Sequence, residues 1–134
     1  MPFMGELSRS IAIVDDDPPV LRALRRLLRG RGFNARTYES AHEFLAALPN
    51  ERPDCLIVDF QMPQMTGLEL HEHLTSRGIR IPTIVISAIG GDEVGERCVA
   101  AGAVAFLAKP IENPTLFAAI NMAIARSNHR GYLS

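Results

Sequence analysis

Cysteine is scarce in this sequence: Cys55 and Cys98 are the only two among 134 residues, far apart and without metal-ligand spacing. Cys55 stands inside the apolar run Cys55-Leu56-Ile57-Val58, so it reads as a small buried hydrophobe rather than a redox group, and nothing calls for a disulfide. An excess of charge is missing too. The formal net charge is −1, which provides no global field toward nucleic acid or an acidic surface and argues against nucleic-acid binding by this chain. The segment Met1-Pro2-Phe3-Met4-Gly5-Glu6 has no basic region followed by a long apolar run, so no secretory signal is read. No stretch approaches the roughly 18 to 20 apolar residues of a membrane span. The expected compartment is the cytoplasm, with no membrane partner. No glycine-rich loop follows the first apolar run, where Asp17-Pro18-Pro19 stands instead, so backbone amides that would cradle a nucleotide or flavin phosphate are absent from that turn. His42, His71, His73 and His129 show no metal or triad spacing, and all four are expected at the surface. Repeats, low-complexity tracts and interdomain linkers are also absent.

What is present is a regular alternation. With 47% hydrophobic residues the chain has material for one domain and one core. Short apolar runs recur at Ser10–Val14, Phe33–Tyr38, Asp54–Val58, Pro82–Ser87 and Val104–Ala108. Ile11-Ala12-Ile13-Val14, Cys55-Leu56-Ile57-Val58 and Ile84-Val85-Ile86 are continuously apolar, as strands are when helices cover both faces of a parallel sheet. The second run, with Asn34, Arg36 and Thr37, is more polar and suits a sheet edge.

Helical periods separate these runs. Pro18 and Pro19 suit a first helical turn, the apolar stripe Val20, Leu21, Leu24, Leu27 and Leu28 follows, and Gly30 and Gly32 stop it. Arg22, Arg25, Arg26 and Arg29 lie off the stripe and read as a solvated face, or as a docking face for an acidic partner. Ser40 with Glu43 and Thr66 with Glu69 open the second and third helices in the capping-box pattern; these end near Pro49 and Gly78. The fourth, from about Asp92 to Ala101, is a poor helix with Gly95 inside it, and the fifth spans about Asn113 to Ser127. Five strand–helix alternations predict an α/β fold, an open parallel sheet with right-handed crossovers.

In such sheets functional residues collect beyond the carboxyl ends of the strands. Here the first strand ends in Asp15-Asp16-Asp17, the third in Asp59, the fourth in Ser87 and the fifth in Lys109-Pro110. Carboxylates meeting at one rim repel each other unless a cation joins them, and oxygen ligands of this kind suit Mg2+. One carboxylate can then attack phosphorus, while the metal, an ammonium and a hydroxyl stabilise the charge spread over the transferring oxygens. Asp59 is the natural nucleophile, Asp15 and Asp16 the metal-side acids, and Lys109 and Ser87 the partners of phosphoryl oxygens. Blander readings stand beside these. Asp17 can be a helix cap, Ser87 can open a turn, Lys109 can be a surface residue and Phe106 can be ordinary core.

The chain resembles the receiver domain of two-component response regulators, over about residues 9 to 127. The resemblance rests on Ile13-Val14-Asp15-Asp16-Asp17, on Val58-Asp59-Phe60-Gln61-Met62-Pro63-Gln64-Met65-Thr66-Gly67, on Ile86-Ser87-Ala88, and on Ala101-Gly102-Ala103 with Phe106-Leu107-Ala108-Lys109-Pro110. It implies a doubly wound, flavodoxin-like sheet of strand order 2-1-3-4-5 with five helices, and residues 1–8 and 128–134 as tails or the start of a linker. It implies a phosphoryl group on Asp59, received from a sensor histidine kinase or phosphotransfer protein, with transfer and autodephosphorylation catalysed by the domain itself rather than by a conventional enzyme. The backbone carbonyl of Gln61 would join Asp15, Asp16 and Asp59 around Mg2+. The Lys109–Pro110 bond would be cis. Ser87 and Phe106 would form a switch that alters contacts on the face of the fourth helix, fifth strand and fifth helix, a face that also allows a homodimer.

The style is closest to receivers that precede a helix-turn-helix output domain, so the chain is expected to be the regulatory part of a transcriptional regulator or a stand-alone receiver. Departures from the pattern are Ile111 after Pro110, Phe60 and Gln61 after the acceptor, and Gly90, Gly91 and Gly95 loosening the fourth helix. Two rivals remain: a degenerate receiver acting by contact alone, and an aspartyl-phosphate phosphatase. The second lacks the acid expected two residues after the nucleophile, where Gln61 stands.

Overall fold

A computed structural model describes residues 9–89 and 92–133, with side chains to 127. The chain alternates without interruption: β1 (Ser10–Val14), α1 (Pro18–Gly30), β2 (Asn34–Tyr38), α2 (Ala41–Ala47), β3 (Cys55–Asp59), α3 (Gly67–Ser76), β4 (Thr83–Ser87), α4 (Asp92–Ala100), β5 (Ala105–Ala108) and α5 (Asn113–Leu133). The five strands form one sheet in the order β2-β1-β3-β4-β5, and every neighbouring pair is parallel. The polar β2 lies at an edge, as its composition suggested.

The continuous apolar runs have a direct explanation. Ile11, Ile13, Cys55, Ile57, Ile84 and Ile86 point to one face, where Leu21, Leu24 and Leu28 of α1 and Leu116, Phe117 and Ile120 of α5 cover them. Ala12, Val14, Leu56, Val58 and Val85 point to the other face, against Phe44 of α2, Leu70 and Leu74 of α3, and Cys98 of α4. Successive strand residues alternate faces, so a strand covered on both sides must be apolar at every position. Cys55 and Cys98 are both buried free thiols. Burial pushes the Cys55 thiol up to about 12, with the charge of Asp54 adding to it, as fits a packing rather than a redox role.

Helix ends follow local chemistry. Thr66 accepts from the Glu69 N–H at 3.0 Å while Glu69 accepts from the Thr66 N–H at 2.8 Å, a complete capping box. Ser40 makes half of one, accepting from the Glu43 N–H at 3.1 Å. Asp17 occupies the N-cap of α1 without a side-chain cap bond. α2 ends at Ala47, close to Pro49, and α4 spans Asp92–Ala100 with Gly95 inside it, both near the expected bounds; α5 differs, continuing past Ser127 to Leu133. The readings made for residues 1–8, Gly90-Gly91 and the His129 side chain lie outside the described residues. Among the described residues, no helix is long and apolar enough to cross a membrane.

His71 corrects the reading of the histidines as surface groups. It is 7% exposed, with Nε2 3.0 Å from the Ala101 carbonyl and Nδ1 3.1 Å from Thr83 Oγ1. A carbonyl can only accept, so Nε2 carries the proton. The reason is helical period: Leu68, His71 and Leu74 are spaced by three, and the ring shares their buried side. His71→Leu leaves the Ala101 carbonyl without this donor, and is expected to destabilise the protein by about 1–3 kcal/mol. Urea unfolding would read it as a lowered midpoint with unchanged slope.

Candidate functional site

The carboxyl ends of β1, β3, β4 and β5 meet at one rim, because all four strands run the same way. Asp15 follows β1 directly and is fully buried, held by its own N–H donating to the Tyr38 carbonyl at 3.1 Å. Asp59 closes β3 and is 6% exposed, while Asp16 is exposed. One carboxylate oxygen from each of Asp15, Asp16 and Asp59 lies within 4.8 Å of the others. Lys109 is brought in from the far strand by its N–H bond to the Ser87 carbonyl at 2.8 Å. Its ammonium donates to Asp15 Oδ2 at 3.0 Å and stands 3.6 Å from Asp59 Oδ1. Asp15 Oδ1 accepts the Asp17 N–H at 2.9 Å, so both of its oxygens are engaged.

The backing of the site is tight. The Gly67 N–H donates to the Phe60 carbonyl at 2.9 Å, folding the start of α3 onto the end of β3. A Cβ at Gly67 would stand 2.6 Å from the Asp59 carbonyl oxygen, so a side chain there would displace the strand end that carries the acid.

Electrostatics mark Asp59 apart from an ordinary surface acid. Burial raises its carboxyl to about 6, and the negative charge of Asp15 adds to that, with a smaller push from Asp16. Lys109 and a hydrogen bond from the Gln61 backbone N–H oppose the rise. Burial works to lower the Lys109 ammonium, yet its bond to Asp15 and the charges of Asp15 and Asp59 hold it above the ordinary lysine value. An oxygen-only donor set with clustered negative charge and a buried acid that resists ionisation fits a hard divalent cation such as Mg2+.

A stability consequence follows from the sign of the Asp59 shift. Its folded value lies above its unfolded one, near 3.8, so protonation favours the folded state. That contribution is complete below pH 4 and is lost as pH rises through about 6. In metal-free buffer Asp59→Asn is therefore expected to be more stable than wild type at pH 8, by at most about 3 kcal/mol, with the gap closing toward pH 4. Denaturant midpoints for the two proteins across that range, in chelator, would check it.

Not every sequence-predicted residue joins the cluster. Ser87 sits fully buried at the end of β4, but its hydroxyl donates to the Ile89 carbonyl at 2.6 Å and accepts the Ile89 N–H at 3.1 Å. In this conformation Ser87 makes the turn that was its plainer reading. Phe106 pairs in register with Val85, two residues before the Ser87–Ala108 pair, and is half-buried against the second core cluster. Lys109–Pro110 is cis. Gln61 is exposed, and its backbone approaches Asp59 through N–H. The arginines Arg22, Arg25, Arg26 and Arg29 are all exposed on α1. Sequence reading missed Gly95 as a contact: it faces the Phe106 ring. The only available signal was a glycine placed mid-helix against propensity.

The family profile described as "Response regulator receiver domain" matches residues 11–121. The transcriptional regulatory protein TdiR of Thauera aromatica is 37% identical over 116 residues, 87% of this chain and 51% of TdiR. The transcriptional regulatory protein FixJ of Rhizobium meliloti is 39% identical over 114 residues, 85% of this chain and 56% of FixJ. The chain thus spans about half the length of these curated relatives. Among solved structures, FixJ-N is matched with a TM-score of 0.81 at 38% identity, over 91% of this chain and 95% of that one. A response regulator receiver protein from Burkholderia phymatum is matched at 0.78 and 40%, over 88% and 96%.

Proposed function

The chain belongs to the response regulator receiver domain family, and from that premise we propose that it is a phosphorylation-controlled switch with Asp59 as the phosphoacceptor. The observation that carries this reading is the convergence of three carboxylates within 4.8 Å, with the Lys109 ammonium 3.0 Å from Asp15 and 3.6 Å from Asp59. In the transfer, a carboxylate oxygen of Asp59 forms a bond to phosphorus as the bond from phosphorus to the donor's imidazole nitrogen breaks. The electron pair of that bond stays on the departing nitrogen. Asp15, Asp16, Asp59 and the Gln61 carbonyl would hold Mg2+, which when bound supplies positive charge to the phosphoryl oxygens. Lys109 moves its ion pair from Asp59 to a phosphoryl oxygen. Ser87 gives up the Ile89 turn and donates its hydroxyl to another, and Phe106 turns toward the space that hydroxyl leaves.

The donor is a sensor histidine kinase or a phosphotransfer protein. The output is a changed preference for partners, including a second copy of the chain, on the surface of α4, β5 and α5. The role is signalling: the domain catalyses its own phosphoryl transfer and hydrolysis, works in the cytoplasm, and itself binds neither nucleic acid nor membrane. The regulatory part of a transcriptional regulator is the favoured setting, since TdiR and FixJ carry that description. Incubation with acetyl phosphate and Mg2+ should add one phosphoryl group by intact mass, and chelator should prevent it. No adduct under any donor would return the chain to a contact-only role.

A further inference from the structure

Gly95 occupies the interior of α4, where a glycine makes the helix less stable than alanine would. Its surroundings explain its presence. A Cβ built there would stand 3.1 Å from Cδ2 and 3.4 Å from Cγ of Phe106. Both distances fall below the ~3.5–4.0 Å of an optimal carbon–carbon contact. The helix has little freedom to retreat, because Cys98, one turn on, is fully buried in the second core cluster. The ring has more. Phe106 is half-buried and borders an open groove with Gly95, Val99 and Ala108. The seated ring and the Ser87 hydroxyl bonded to Ile89 occur together in the same conformation.

We propose that Gly95 is a positioning residue for the switch: its missing side chain is the seat of the Phe106 ring in the resting state, and so sets the balance between that state and the one in which the ring turns toward Ser87. The inference rests on the reading that Ser87 and Phe106 move together on phosphorylation. A methyl at position 95 crowds the seated state alone, so it shifts the population toward the switched state without touching the acids or Lys109.

Four proteins test this: wild type, Gly95→Ala, Phe106→Leu and the double variant. Initial rates of modification by acetyl phosphate with Mg2+ should rise roughly fivefold in Gly95→Ala, and the gain should vanish in the Phe106→Leu background. Any helix stabilisation from alanine should instead appear equally in both backgrounds by denaturant unfolding, so it cannot imitate the result. In aromatic NMR spectra of the unphosphorylated protein, the Phe106 ring signals should move in Gly95→Ala toward their positions in wild type saturated with beryllofluoride and Mg2+. An unchanged ring signal in Gly95→Ala, or an equal rate gain with and without Phe106, overturns the proposal. If no protein takes up phosphate, the assigned function fails, and displacement of the ring signal in Gly95→Ala still decides whether glycine is the seat.

Discussion

Asp59→Asn is expected to take up no phosphoryl group under conditions that modify the wild-type chain, with the loss read directly by intact mass. The substitution keeps the shape of the side chain and removes the carboxylate that the proposed transfer uses as its nucleophile. Asp15 and Asp16 are near, but neither is an adequate substitute. Asp15 has both oxygens engaged, by the Asp17 N–H and Lys109, and Asp16 is exposed on the loop after β1. The same change also takes one charge from the carboxylate cluster, so Mg2+ affinity measured by calorimetry should fall by at least about tenfold. The variant should be well folded, since Asn lacks the ionisation penalty that burial and Asp15 impose on the wild-type acid. Loss of modification in a protein that is more stable at pH 8 separates a chemical role from a structural one. An adduct retained on Asp59→Asn would reassign the acceptor.

Lys109→Ala is expected to slow modification by roughly a hundredfold or more, the scale seen when a preorganised donor to a developing anion is removed. The ammonium sits between Asp15 and Asp59 with a third acid close by. Its removal leaves the three carboxylates without that positive neighbour, so the metal-free variant should lose stability as pH rises through the Asp59 range. Mg2+ affinity should move the other way from the Asp59→Asn case, holding steady or tightening, because a competing cation has gone. Calorimetry and intact mass on the same preparation give both readouts. A parallel loss of Mg2+ binding and modification would place Lys109 in the structure of the metal site rather than in the transfer.

Much of the architecture was legible because burial on both sheet faces leaves a strong trace. Three of the five strands, β1, β3 and β4, show as unbroken apolar runs, and the two core clusters divide those runs residue by residue. The capping residues Thr66 and Ser40 announced two helix starts, since an N-cap bond involves residues only three apart. Local signals were weaker where two elements decide the outcome together. His71 carries no charge pattern or motif, and its burial depends on β4 supplying Thr83 and the loop after α4 supplying the Ala101 carbonyl. Gly95 read as a weak point inside the fourth helix, and α4 does run through it; what its own segment could not show is the Phe106 ring from β5 packed beside it.

The chemical inventory of the rim belongs to the sequence alone. Acids after the first and third strands, a hydroxyl after the fourth and a lysine after the fifth follow from the order of residues and the alternation of elements. Tertiary structure decided which of these touch. Asp15 and Lys109 are 94 residues apart and bond at 3.0 Å because parallel pairing brings β1, β3, β4 and β5 to the same edge in one register. It also directed the Ser87 hydroxyl to Ile89 and seated Phe106 on Gly95. Those outcomes depend on side-chain directions and sub-ångström packing between distant elements, which no linear pattern encodes.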